Sequence, residues 1–450
     1  MKRRILVLNF HSPPDPAVGG LRWTGLSRHL AGLGWQVRVI TASPGAAAVP
    51  QPRGMLVTEA HRRTTLQDRY RRWRRRWATH GESTPAAAAT PVEADVPAAP
   101  GRSGPAGATR SQLAALRAGL GDLLDFPDHG RGWILRAGGA AARTIREWGP
   151  DVVVSTGPPH SAHLAAEVAT WRRPVPWIVD LRDPWETPSH SHSRSGWKHA
   201  LLQRLEARVF SRARLLITTT PELRDTLEGH FPSASMVWLP NGVDTRELPA
   251  RPDVLPPGLS ITHLGSVYFN RDPGPVIRAF ARFLDAYPDA SPAGSVLRFV
   301  GNVEPRFRRR LERTAAEAGV ADRVEMTGSM PRDQALGVLA GSSIALVLAQ
   351  GQGTMVPAKI YEAIGMGLPT LVVTEEGSAT GREAGRLGAG VHDATDEAGM
   401  AATMGAVWTG RWQAGEGAPE RVSHAHLARE LERILLSVCS DPAPALATGA

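Results

Sequence analysis

At 450 residues, with 42% hydrophobic side chains and the single cysteine Cys439, the chain is long enough for two globular domains and has no internal disulfide framework. No apolar run approaches the roughly 20 residues that span a bilayer as a helix. A formal charge of +9 points to anionic partners without choosing among nucleotide phosphates, nucleic acid and acidic lipid.

The start, MKRRILVLNF, has a basic head but too short an apolar run for a signal peptide, and is expected to be a first strand at 5–8. The loop at 9–20 (NFHSPPDPAVGG) brings Gly19 and Gly20 to the head of a helix at 21–33, and a second strand follows at 36–41. Strand, glycine-rich loop, helix, strand is a phosphate-cradling order, though the full G-x-G-x-x-G of a dinucleotide site is missing.

Residues 69–77 (RYRRWRRRW) place six arginines around Tyr70, Trp73 and Trp77. As a helix this stretch suits an anionic membrane surface; a solvated insertion packing its tryptophans on the domain is the plainer alternative, and nucleic acid is not the expected partner. Residues 78–110 hold 19 Ala, Pro and Gly in 33 positions. With almost nothing to bury, they are expected to be a disordered insertion.

Helices are expected at 113–124 and 132–148, and a strand at 151–155 that TGPPHSAH (156–163) carries into a helix. His160 stands at that strand's end with His163 one turn on; a third ligand at close spacing is missing, so no metal is expected. The stretch at 190–199 (HSHSRSGWKH) reads as a polar loop. A strand at 176–179 leads into DLRDPW, where Asp180, Arg182 and Asp183 are candidates either for a local ion-pair network or for an acceptor pocket. After a strand at 215–219 and a turn at Asn241–Gly242, the polar run 245–257 is the expected linker between domains at 1–244 and 258–420. The second half repeats the rhythm: strands at 260–264, 297–300 and 324–327, helices at 274–287, 305–318 and 331–340. A final helix at 425–438 lies within a C-terminal segment, 421–450, that ends in a tail.

The most informative stretch is 354–370, TMVPAKIYEAIGMGLPT, between the apolar runs IALVLA and PTLVV. Pro357 suits the first position of a helix, Ile360 and Ile364 pair on one face, and Gly365 and Gly367 end it. The result is a βαβ unit whose ligand belongs beyond the carboxyl ends of its strands. The glycine-bearing loop at 350–356 can bring backbone N–H groups to an anion. Lys359 and Glu362 lie one turn apart, as phosphate and ribose would need. An ordinary amphipathic helix with an i, i+3 ion pair fits the same residues.

This pattern resembles the donor site of the retaining, GT-B-type glycosyltransferases, in the branch written P-x-K-x-x-E-x-x-x-x-G-x-P, through Pro357, Lys359, Glu362, Gly367 and Pro369. Phe126-Pro127-Asp128, Trp133, the segment S-T-G-P-P-H and D-L-R-D-P-W are similar to a bacterial branch that builds surface polysaccharides. The resemblance implies an α/β fold of two Rossmann-like domains facing across a cleft, with the C-terminal helix crossing back onto the first domain. It implies a nucleotide-sugar donor, a glycan, lipid-linked or other acceptor, retention of configuration, and no metal cofactor. It assigns the donor to Gly19, Gly20, Arg271, Thr354, Met355, Val356, Lys359 and Glu362 and the reacting sugar to His160; within such a cleft Arg182 and Asp183 are the candidates for the acceptor side, with the ion-pair network as their alternative. Two positions depart from the pattern: Thr354 stands where many members carry a sugar-binding Glu, and Ser266 where a first arginine is usual. Arg271 as an ordinary surface residue remains the alternative for that position. A cytoplasmic enzyme, peripheral on the membrane's inner face, is the expected setting. A non-catalytic sugar-nucleotide or polyanion binding protein at the membrane, or a sugar-nucleotide epimerase, would share much of the pattern.

Overall fold

The computed structural model describes residues 3–15, 17–65, 68, 126–173, 175–185, 196–267 and 271–440. The expectations for 69–77, 78–110, the helix at 113–124, most of 190–199 and the tail after Ser440 lie outside these residues.

Two parallel sheets carry the fold. The first runs in the order β3-β2-β1-β4-β5-β6-β7, from β1 (Arg4–Asn9), β2 (Gln36–Thr41), β3 (Met55–Glu59), β4 (Val152–Gly157), β5 (Trp177–Leu181), β6 (Leu215–Thr218) and β7 (Met236–Trp238). The second runs β10-β9-β8-β11-β12-β13, from β8 (Ser260–Leu264), β9 (Val296–Val300), β10 (Val324–Gly328), β11 (Ile344–Leu348), β12 (Thr370–Val373) and β13 (Gly390–His392). Every residue of β4, β5, β11 and β12 is buried. This is why these strands read as unbroken apolar runs: helices cover both faces of a parallel sheet.

The helices of the first unit are α1 (Leu21–Gly32), α2 (Ile134–Trp148), α3 (Ser161–Thr170), α4 (Gly196–Arg212) and α5 (Pro221–His230). Those of the second are α6 (Gly274–Ala286), α7 (Pro305–Glu317), α8 (Arg332–Ala340), α9 (Lys359–Gly365), α10 (Ala379–Arg386), α11 (Glu397–Trp408) and α12 (Ala418–Arg421). A last helix, α13 (His424–Ser440), returns to the first unit, where Leu427, Leu431 and Leu435 are buried in one cluster with Trp23, Leu26 and Leu30 of α1. The outgoing and returning chains cross side by side: Val243 N–H donates to Val422 O (2.9 Å) and His424 N–H to Val243 O (2.8 Å).

The sequence reading needs two corrections of detail. The donor-motif helix begins at Lys359 rather than Pro357, because Ile360 N–H bonds back to Pro357 O (3.1 Å) in a tighter first turn. After the strand at 36–41 no further strand was expected before 151, yet β3 pairs in parallel with β2 along its full length.

Candidate functional site

Strand order reverses at β1/β4 in the first sheet and at β8/β11 in the second. Loops leave a switch point in opposite directions, and open a crevice between them at the carboxyl ends of the strands. The loops after β1, β4, β8 and β11 carry Gly19 and Gly20, His160, Arg271, and Thr354–Val356 with Lys359. The two crevices meet: Thr220 Oγ donates to Thr354 O (2.7 Å), and Arg382 Nε to Glu222 (2.5 Å), from one unit to the other.

The floor of the second crevice is bare of side chains. β8, β9 and β10 are each capped by a glycine with positive φ, Gly265 (+123°), Gly301 (+145°) and Gly328 (+76°). A Cβ on Gly301 would stand 2.4 Å from Gly265 O, and one on Gly265 would stand 2.9 Å from Lys359 Nζ. Lys359 therefore reaches across the strand end into space that any larger residue at 265 would occupy. Its Nζ is buried and has no hydrogen-bond partner among the described residues. Burial first, then the charge of Arg271, push its ammonium down to about 7. Beneath it, His263 gives its Nδ1–H to Leu346 O (3.0 Å), and burial keeps the ring neutral.

The loop before α9 is held by its carbonyls. Gly353 O accepts from Ala379 N–H (2.9 Å), Thr354 O from Thr220, and Met355 O from Thr380 (2.8 Å). A trans peptide directs N–H opposite to the preceding C=O, so the N–H groups of Thr354, Met355 and Val356 all point away from these anchors. Glu362 is buried, and its ion pair is with Arg332 of α8 (2.5 Å) rather than with Lys359. The i, i+3 ion pair that would have made α9 an ordinary amphipathic helix is not formed.

In the first crevice His160 is buried and lies flat on Trp185, with ring centroids 4.8 Å apart and planes 11° apart. A Cβ on Gly157 would come within 2.6 Å of His163 Nε2 and 2.8 Å of His160 Nδ1, so glycine makes room for both rings. His163 bonds Ser155 Oγ (2.8 Å), and its burial lowers its pKa to about 3. Among the described residues no group of three metal-ligating side chains forms.

Arg182 is held by three backbone carbonyls: Gly19 (2.5 Å), Gly157 (3.3 Å) and Pro158. It ties the loop after β1 to the loop after β4. The two glycines follow from close approach within the first unit: a Cβ on Gly19 would meet Arg182 Nη1 at 2.7 Å, and one on Gly20 would meet His11 O at 2.6 Å. Asp180, at the end of β5, finds its hydrogen-bond partners outside the DLRDPW segment. It accepts from Trp23 (2.7 Å), Thr156 (2.7 Å) and the buried guanidinium of Arg22 (3.2 Å). Asp183 remains half-exposed beside Arg182.

Sequence reasoning passed over several neighbours of these residues. His11 and Asp15 pair at 2.7 Å, with Ser43 Oγ also on Asp15 (3.2 Å). Their i, i+4 spacing in the quoted loop was the available signal. Asp128, known from the sequence only as part of the Phe126-Pro127-Asp128 match, accepts from Ser161 N–H (2.8 Å) and Oγ (2.5 Å) at the head of α3. Arg332 had no local signal, because it meets Glu362 from another helix.

A family model of the glycosyl transferase 4-like domain matches residues 19–242, and one of glycosyl transferases group 1 matches 261–409, together more than half of the chain. Among solved structures, the fold is similar to a sucrose-phosphate synthase from Thermosynechococcus elongatus (11% identity, 98% of this chain and 100% of that one, TM-score 0.60). A glycosyltransferase from Rickettsia africae (12%, 98% and 99%, 0.58) and an α,α-trehalose 6-phosphate synthase from Burkholderia multivorans (14%, 98% and 97%, 0.58) share it too. No curated protein matches the sequence. At such identities these likenesses establish the two-domain GT-B fold.

Proposed function

The chain belongs to the glycosyltransferases with a 4-like first domain and a group 1 second domain, and from that membership we propose that it moves a sugar from a nucleotide-sugar to a glycan, lipid-linked or other acceptor with retention of configuration and without a bound metal. The observation that carries this reading is Lys359: a buried, unpartnered ammonium over a glycine floor, beside N–H groups aimed away from their anchored carbonyls. A diphosphate would give that ammonium a counter-ion.

In this reading Lys359, Arg271 and the N–H groups of Thr354–Val356 take the diphosphate, and Glu362, steadied by Arg332, accepts from the ribose hydroxyls. Gly19 and Gly20 let the loop after β1 close over the phosphates from the other unit. His160, braced on Trp185, meets the sugar near the anomeric carbon. Arg182 and Asp183 line the acceptor side. The bond from the anomeric carbon to the diphosphate oxygen breaks as the acceptor hydroxyl oxygen bonds the same carbon face. The hydroxyl proton leaves with the diphosphate. The cations are placed where negative charge grows as that bond breaks.

A thermal-shift screen of nucleotide-sugars identifies the donor, since a ligand bound only by the folded state stabilises it by mass action. Release of nucleoside diphosphate that depends on acceptor, with an anomeric proton in the donor's configuration, is the expected outcome. Donor binding with no release reduces the protein to a binding module, conversion of the donor without acceptor makes it an epimerase, and an inverted product removes retention. Peripheral membrane contact through 69–77 is also proposed, on the chemistry of that stretch alone.

A further inference from the structure

Away from the cleft, a groove of about 490 Å³ opens between α2, α3 and α4, with Ala142, Val168, Ala169 and Trp171 as its apolar lining and four arginines and Glu167 completing it. Among the described residues nine large hydrophobic side chains are exposed; four of them, Leu135, Val168, Trp197 and Leu201, stand on these three helices, and a fifth, Trp171, directly follows α3. Leu135 is 76% exposed and Trp171 62%. Isolated exposed hydrophobics are normal; five on one face mark an interaction surface.

The charge of the face says what meets it. From Ile134–Trp148, 161–173 and Gly196–Arg212 the sequence supplies nine basic residues, of which Lys198 is buried, and three acidic ones. The acids are already engaged or buried: Glu147 with Arg146 (3.2 Å), Glu167 with Arg208 (2.8 Å) and Arg212 (3.4 Å), and Glu206 is inside. Arg212 also lies over the Trp171 ring, 4.4 Å from its centroid. Arg172 and Arg173 are exposed beside it.

We propose that α2, α3 and α4 form a docking face for an anionic lipid surface. Tryptophans and leucines enter the interfacial layer while arginines reach lipid phosphates, a division of labour that needs both chemistries on one face. Nucleic acid would use the arginines and leave Leu135, Val168 and Leu201 in water. A neutral protein surface would cover the leucines and strand the arginines. All three helices run from the cleft end of the first sheet to its opposite end, and α3 alone covers about 15 Å. Trp197 and Leu201 sit near the cleft end and Trp171 at the other, so a bilayer on this face lies alongside the cleft. On the reading proposed above, that delivers a lipid-linked acceptor to the active site; the docking itself does not rest on that reading.

The test is co-sedimentation of the full chain with vesicles of phosphatidylcholine, with and without phosphatidylglycerol, at rising salt. The wild type should bind the anionic vesicles and release as salt screens them. A variant with Trp171→Ser, Arg172→Ser and Arg173→Ser should lose at least about tenfold in partitioning, because each arginine near such a surface counts for roughly fivefold. Its melting temperature and nucleoside diphosphate binding should be unchanged. A second variant, Leu135→Gln with Leu201→Gln, touches the other end of the face and should also weaken binding. Arg71, Arg72, Arg74 and Arg75 changed to Ser separates the 69–77 stretch. Wild-type partitioning by both face variants overturns the proposal, as does equal binding to neutral vesicles. Tighter binding to duplex DNA than to vesicles, lost in the same variants, assigns the face to nucleic acid instead.

Discussion

Replacing Lys359 by methionine should make the ligand-free protein more stable while emptying its nucleotide site. The folded chain holds this ammonium at about 7, against an ordinary value of 10.5, chiefly because it is buried and secondly because Arg271 stands close. Between those two values the unfolded chain binds a proton that the folded chain does not, so stability rises with pH through the window. Below about pH 7 the whole penalty is present, and above pH 10.5 it is gone. A shift of this size is worth at most of order 4–5 kcal/mol, which bounds what mutation can recover. Methionine keeps the apolar stem without the charge. Its domain should therefore melt several degrees higher at pH 7, since 1 kcal/mol moves a domain of this size by about 2–4 °C. The gain should shrink toward pH 10. Diphosphate reverses the balance: the ammonium gains an anion, so binding above pH 7 takes up a proton in the wild type and not in the variant. Differential scanning fluorimetry across pH, with calorimetry in two buffers of different ionisation enthalpy, reads both effects. A variant that is less stable at pH 7, or that binds nucleoside diphosphate as tightly as the wild type, would refute the account of this residue.

Glu362→Ala should raise the donor KM by roughly ten- to a hundredfold, the worth of a hydrogen bond to a charged group, with kcat little changed. His160→Ala should do the reverse, lowering kcat while calorimetric affinity for nucleoside diphosphate stays near wild type; the same effect on both constants would remove the division of roles. Asp180→Asn leaves the buried Arg22 guanidinium without its counter-charge and should cost about 3–5 kcal/mol, read in chemical denaturation. Replacing 78–110 by a short Gly/Ser linker should leave the melting temperature almost unchanged, because the segment has so little apolar surface to bury; a drop of many degrees would contradict that.

The two-sheet architecture was legible because parallel strands are buried on both faces, and IALVL or VVVST then reads as a strand from local composition alone. Helices α4, α5, α10, α11 and α12 were not anticipated. In α11, EAGMAATMGAVW spreads small and apolar residues all round, leaving no 3.6-residue stripe to detect. β3 was missed because, at the edge of the sheet, it buries only Val57 outright.

The donor motif belongs to the sequence for a related reason. Lys359 and Glu362 share a face through helix geometry, which needs nothing beyond four consecutive residues in the right conformation. What each side chain meets was decided elsewhere. Glu362 turns to Arg332, 30 residues back on another helix. Asp180 closes on Arg22, 158 residues earlier, instead of on Arg182 two positions away. Arg182 spends its donors on the carbonyls of Gly19, Gly157 and Pro158. Periodicity and spacing are properties of a short segment and survive in one dimension. The partner of a buried charge is set by which distant strand ends the sheet order brings together, and only the folded chain contains that.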